Sequence, residues 1–120
     1  MTDALELAVV IPTFNERANV PVLIAKLDAA LAGRRWEAIF VDDDSPDGTA
    51  EAARELGRLD PRVRVIQRFG RRGLSSACIE GMCATAAPAV AVIDGDLQHD
   101  ETLLPAMLDR LQADAALYLV

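Results

Sequence analysis

A chain of 120 residues with 52% hydrophobic side chains can close one core, and is small for an enzyme that handles two substrates. Asp and Glu number 19 against 12 Lys and Arg, and the resulting net charge of -7 speaks against nucleic acid or an anionic membrane as partner, so an anionic ligand needs a metal ion or a small basic loop. No apolar run approaches the roughly 20 residues that cross a bilayer, and the first residues lack the basic and hydrophobic order of an export signal, so the piece is expected to be soluble and cytoplasmic.

Leu7 to Ile11 is a continuous apolar run closed by Pro12, the pattern of a strand buried on both faces. Val20, Leu23, Ile24, Leu27 and Leu31 then share one helical face, with Asn15 placed to cap that helix. Ala38 to Val41 reads as a second strand, followed by Asp42-Asp43-Asp44-Ser45-Pro46-Asp47-Gly48 and a helix through Ala50, Ala53 and Leu56 that Gly57 can cap. Val63 to Ile66 is a third strand. A basic glycine loop, Gly70-Arg71-Arg72-Gly73, leads to a helix with Leu74, Ala77, Cys78 and Met82 inward. Ala89 to Ile93 is the fourth strand, Asp94-Gly95-Asp96-Leu97-Gln98-His99-Asp100 follows, and Leu104, Met107, Leu108 and Leu111 mark the last helix.

The alternation predicts βαβ units, a parallel sheet and an α/β fold of three layers. If the fourth strand lies beside the first, the strand order reverses between them and a ligand site opens beyond their carboxyl ends. Residues 115–120 read as a further buried strand with nothing after it, and the chain is expected to be truncated. Cys78 and Cys83 lack metal or redox spacing and are read as buried free thiols.

Each unusual polar cluster falls directly after a strand. Close like charges repel by about 1 kcal/mol or more at intermediate dielectric, and a cation is the simplest remedy. Asp94 and Asp96 can turn toward one divalent ion, with Gly95 leaving room for diphosphate oxygens and Gln98 adding a neutral oxygen; hard ligands of this kind suit Mg²⁺ or Mn²⁺. His99 suits loop packing better than a hard cation, and Asp100 can cap the last helix. Among Asp42, Asp43 and Asp44, at least one is expected to face the cleft and accept from a base or ribose, although a solvated turn capped by Asp47 or Thr49 explains part of the pattern. Pro12-Thr13-Phe14-Asn15-Glu16 is both a strand exit and a floor for a nucleotide. Arg71 and Arg72 between two glycines offer guanidinium groups to phosphate.

In this order, Val10 to Glu16, Val41 to Thr49, Gly70 to Ala77 and Asp94 to His99 resemble the family 2 glycosyltransferases of GT-A fold, above all the dolichol-phosphate (polyprenol-phosphate) mannosyltransferases, from about Leu7 to Leu111. The resemblance implies that residues 1–120 form the nucleotide-sugar-binding part of such a domain, without the acceptor part. It implies that Pro12, Phe14, Glu16 and one of Asp42 or Asp43 hold the nucleotide, and that Asp94, Asp96 and Gln98 gather the metal, with Asp94 and Asp96 carrying catalysis. Thr13, Val41, Arg72, Gly73 and Gly95 complete the implied nucleotide-sugar surface. The implied reaction moves mannose from GDP-mannose to a polyprenyl phosphate at the cytoplasmic face of a membrane. The family often has Ala where Gly95 stands and Tyr where Phe14 stands, and both departures keep the shape; the basic residues that receive the lipid phosphate would lie past Val120. A UDP-sugar donor with another acceptor is the alternative within the class. Outside it stands a non-catalytic nucleotide-binding or receiver-like Mg²⁺ module, whose acidic pair should follow the first strand.

Overall fold

The computed structural model describes residues 4–70, 73–96 and 100–114. Four parallel strands, β1 (Leu7–Thr13), β2 (Trp36–Asp42), β3 (Val63–Gln67) and β4 (Val90–Val92), form one sheet in the order β3-β2-β1-β4. The helices are α1 (Asn19–Ala30), α2 (Thr49–Leu59), α3 (Leu74–Cys83) and α4 (Leu104–Asp114), the last entered through a 3-10 turn at Glu101–Leu103.

Every residue of β1 and β2 is buried, which is why their centres, Leu7 to Ile11 and Ala38 to Val41, read as unbroken apolar runs rather than as alternations. Leu7, Val9 and Ile11 of β1 point into one core with Trp36, Ala38 and Phe40, against Leu23 and Leu27 of α1, Ala53 of α2 and Leu104 and Leu108 of α4. Val10, Ile39 and Val41 point to the other face and meet Ala77 of α3. The sheet therefore lies between helices on both sides, the expected three layers. Burial of Phe40 to 1% exposure contributes about 2 kcal/mol. On the α3 side the approach is too close for ordinary side chains: a Cβ at Gly81 would fall 2.3 Å from Cγ1 of Val10, so the glycine is there for space.

Several local expectations are corrected. Asn15 does not cap α1; it stands at φ +56 with its N–H donated to Ser45 Oγ at 2.9 Å, and the helix starts at Asn19. Gly57 lies inside α2 rather than at its end, where a side chain would run into the Val63 carbonyl at 2.9 Å; the cap is Asp60. Leu74 is 62% exposed because it opens the first turn of α3 beyond the sheet's edge. Cys78 and Cys83 are free but not buried, Cys78 being half-buried and Cys83 exposed, since α3 meets the sheet through Ala77 and Gly81. Trp36 and Glu37 extend β2 backwards, the buried Glu37 carboxylate being met by Arg64 at 3.0 Å and Thr85 at 2.5 Å. The expected strand at 115–120 lies outside the described residues.

Candidate functional site

The registers Thr13↔Asp42 and Asp42↔Gln67 bring the strand ends to one rim, and β1 has β2 on one side and β4 on the other. The chain order thus reverses at β1, where α/β sheets open a crevice. A receiver-like sheet would set β2 and β3 on either side of β1, so that alternative is overturned by the strand order.

Pro12 helps to open the crevice. Ala8 donates to Ala89 O and Val10 O accepts from Ile93 N, so even-numbered residues of β1 face β4. Position 12 is the next in that series, and proline has no N–H to continue the ladder. The pairing with β4 ends at Val10↔Val92, and Asp94, Gly95 and Asp96 follow as a turn.

A cleft of about 230 Å³ lies there, lined by Pro12, Thr13, Phe14, Glu16, Asp43, Leu74, Ala77 and Asp94. Four clusters that are far apart in the sequence, after β1, β2, β3 and β4, meet at or beside it. A larger groove of about 680 Å³ runs between α1 and α2, but its walls are chiefly helix aliphatics such as Pro21, Ala52, Leu56 and Leu59, and none of Asp42, Asp43 or Asp94 lines it.

The three aspartates have separate places. Asp42 is fully buried, accepting from Thr13 Oγ1 at 2.8 Å, Ser45 N at 2.8 Å and Ser45 Oγ at 2.6 Å, so it shapes the loop and does not face the cleft. Asp43 faces the cleft. Asp44, at φ +57, turns outward and accepts from Gln67 Nε2 at 2.9 Å. Val41 is fully buried in the α3-side core, so its side chain does not reach the cleft. Gly73 flanks the cleft through its N–H, 3.2 Å from Asp43 Oδ2. Arg72 and Gln98, like Arg71, Leu97 and His99, lie outside the described residues.

The turn after β1 is held from the opposite loop. The backbone N–H groups of Asn15, Glu16 and Arg17 donate in succession to Ser45 Oγ, Thr49 Oγ1 and Asp47 Oδ2 at 2.9, 2.9 and 3.2 Å. Asp47 also accepts from Thr49 N at 3.0 Å, and Asp100 caps the 3-10 turn through Thr102 N at 3.1 Å. Asn19 Nδ2 donates to Gly95 O at 2.9 Å, tying α1 to the turn after β4.

Glu16 is the electrostatic centre of the site. Burial pushes its carboxyl above the usual value, and the Asp96 and Asp94 carboxylates push the same way against the Phe14 N–H and Asn19. Its Oε2 is buried and has no hydrogen-bond donor among the described residues. Asp94 is half-buried in the cleft wall, Asp96 is exposed beside it, and Gly95 between them is buried. The donor set is hard oxygen with excess negative charge, which fits Mg²⁺ or Mn²⁺. Among the described residues no three carboxylate, thiol or imidazole groups are gathered into a cage, so a cation held here would take further oxygens from a ligand or water.

Arg68 and Asn19 did not stand out in the sequence, nor did the bonds by which Ser45 and Thr49 hold the turn after β1. Their signal is tertiary, since Arg68 meets Asp43, Asn19 meets Gly95, Ser45 meets Asn15 and Thr49 meets Glu16 across 25 or more residues of sequence.

The family model described as glycosyl transferase family 2 matches residues 8–120. The dolichol-phosphate mannosyltransferase of Pyrococcus furiosus is 42% identical over 108 residues, covering 90% of this chain and 30% of the relative. Among solved structures, a mannosyltransferase from Pyrobaculum calidifontis in complex with GDP-Man and Mn²⁺ superposes with a TM-score of 0.73 at 23% identity, over 92% of this chain and 33% of its own. Glucosyl-3-phosphoglycerate synthase from Mycobacterium tuberculosis, in complex with Mn²⁺, UDP and its product, gives 0.69 at 25% identity, over 89% and 39%. The chain spans about a third of the length of these proteins.

Proposed function

The chain belongs to glycosyl transferase family 2 and has its GT-A fold, and from that premise we propose that it is the nucleotide-sugar-binding part of an enzyme that moves mannose from GDP-mannose to a polyprenyl phosphate. The observation that carries the reading is the single cleft at the β1/β4 reversal, where Pro12, Phe14 and Glu16 from one strand end meet Asp43 from a second and Asp94 from a third.

In this reading Pro12, Thr13 and Phe14 form the floor under the nucleotide, Asp43 accepts from its base or ribose, and Gly95, whose missing side chain makes room for Glu16 and Thr13, lets the turn pass close beside the diphosphate. Arg72 and Gly73 meet its phosphates. Asp94 and Asp96 hold Mg²⁺ or Mn²⁺, with Gln98 as a third ligand by resemblance. Such a cation supplies neutralisation of charge on the departing diphosphate. Glu16, half-buried with its Oε2 enclosed beside Gly95, backs the two aspartates and keeps the turn in place.

A phosphate oxygen of the lipid attacks the anomeric carbon; the new C–O bond forms as the bond from that carbon to the diphosphate oxygen breaks, and GDP leaves with the electron pair. A phosphate monoester has a second pKa of about 6, so the nucleophile is anionic near neutral pH and no catalytic base is required. Orientation and leaving-group stabilisation carry the rate. The acceptor in this reading is a membrane lipid, and the reaction is proposed to take place at the cytoplasmic face of a membrane.

A UDP-sugar donor is kept as a second reading because the Mycobacterium tuberculosis neighbour was solved with UDP. Calorimetry of GDP, UDP and GDP-mannose, with and without Mn²⁺, tests both. Metal-dependent binding of GDP and GDP-mannose supports the first reading, preference for UDP the second, and absence of binding to either nucleotide by the full-length protein contradicts both.

A further inference from the structure

Arg68, directly after β3, is the one buried arginine among the described residues, 1% exposed. Its guanidinium donates to three acceptors on two elements, to the residue after β2 through Nε to Asp43 Oδ1 at 2.7 Å, and to the start of α3 through Nη1 to Ser76 Oγ at 2.8 Å and Nη2 to Gly73 O at 3.0 Å. Its backbone N–H donates to Asp42 O at 2.8 Å. The second oxygen of Asp43 accepts from Gly73 N, so the ring of contacts closes on itself. The ends of β2 and β3 and the start of α3 are thereby joined at one side chain. Asp43, Leu74 and Ala77 line the cleft, whereas Arg68 does not.

We infer that Arg68 is a positioning residue for nucleotide binding: it fixes the Asp43 carboxylate in the cleft wall and sets the start of α3 against it. The inference rests on the reading of this cleft as a nucleotide-sugar site. A buried ion pair is a poor source of net stability compared with apolar side chains of similar volume. What the pair does supply is direction, because the planar fork of arginine holds three acceptors at fixed angles where a lysine ammonium cannot. Asp43 without it keeps the longer bond from the Gly73 N–H and loses the charged donor that sets its direction, in a wall shared with the acidic Glu16 and Asp94.

The test uses the full-length protein with GDP and Mn²⁺ in calorimetry, and GDP-mannose in steady-state transfer. Absence of GDP binding by the unaltered protein would count against the nucleotide-sugar reading itself, not against the role of Arg68 within it. With binding established, Arg68→Lys is expected to raise the Kd for GDP and the KM for the donor by about tenfold, with kcat changed by no more than about threefold. Asp43→Asn should do the same, and the double variant should be little worse than either single one, as expected of residues acting as a unit. Arg68→Met combined with Asp43→Leu should recover the melting temperature without recovering GDP affinity, which separates positioning from stability. Wild-type GDP affinity in a folded Arg68→Lys protein, or additive losses in the double variant, would overturn the inference. Should Arg68→Lys fail to fold, Ser76→Ala decides: about a threefold loss of GDP affinity is expected, and an unchanged Kd overturns it.

Discussion

The Thr13 hydroxyl donates to Oδ1 of Asp42 across 2.8 Å, joining the last residues of β1 and β2 beneath the cleft. The same carboxylate takes both the N–H and the hydroxyl of Ser45, and Ser45 in turn receives the N–H of Asn15. Asp42→Ala removes the acceptor and leaves these buried donors without a partner, at about 1 kcal/mol or more apiece. The expected loss is about 3 kcal/mol in urea unfolding, and a variant within about 0.5 kcal/mol of the parent would show that the network does not hold the loop.

Gly95 makes a second point about space. A Cβ there would sit 2.8 Å from Glu16 Oε2 and 2.9 Å from Thr13 Cγ2, so the alanine common in the family at this position does not fit this backbone without movement. The expectation that the exchange keeps the shape is thus corrected. Gly95→Ala should cost about 1–2 kcal/mol, the usual range for overpacking. Combined with Glu16→Ala the two costs should sum to less than the separate losses, because the alanine at 95 then meets one obstacle rather than two. Strict additivity in chemical denaturation would show that Glu16 is not what crowds the site.

The elements were legible because the strands are buried on both faces and the helices on one, so Leu7 to Ile11 and Val20 to Leu31 announce themselves by period alone. Of the three successive aspartates, however, one is a loop brace, one a cleft wall and one a surface group. Which is which depends on where β2 stops and how it registers with Thr13, and no local pattern carries that information. Arg68 was hidden for the same reason, being one of 12 basic residues and distinguished only by burial. Asn15 has the chemistry of a helix cap, but its N–H is claimed by Ser45 from 30 residues away, and the helix starts one turn later.

At the opposite end of α2, Asp60 provides a pH signature. Its carboxyl lies below the usual value because the Arg62 side chain donates to it, with the Arg62 backbone N–H adding a bond that together outweigh burial. A depressed folded value means that the unfolded chain takes up the proton first. The stabilisation is therefore complete above the unfolded carboxyl value of about 4 and is lost as pH falls through the folded one. Arg62 is partly exposed, so the contribution is about 1 kcal/mol rather than several. The difference in unfolding free energy between the parent and Asp60→Asn should shrink between about pH 7 and pH 2, and a constant difference would contradict the assignment.

Asp96 separates chemistry from folding more cleanly than any other position at the rim. It is exposed, follows a buried glycine, and its electrostatic effect reaches Glu16. Removing an exposed carboxylate from a crowded acidic group relieves repulsion, so Asp96→Ala should leave the melting temperature unchanged or slightly raised. If the carboxylate holds the cation that stabilises the leaving diphosphate, transfer in the full-length protein should fall by a factor of about 100 or more. Asp96→Asn keeps the size and loses the charge, and should fall nearly as far. Sugar transfer measured across a Mn²⁺ titration distinguishes the causes: a variant limited by metal affinity recovers at high Mn²⁺, whereas one that has lost orientation does not. Near-parental turnover with an unaltered metal requirement would remove Asp96 from the mechanism and leave Asp94 as the one acidic ligand of the proposed set.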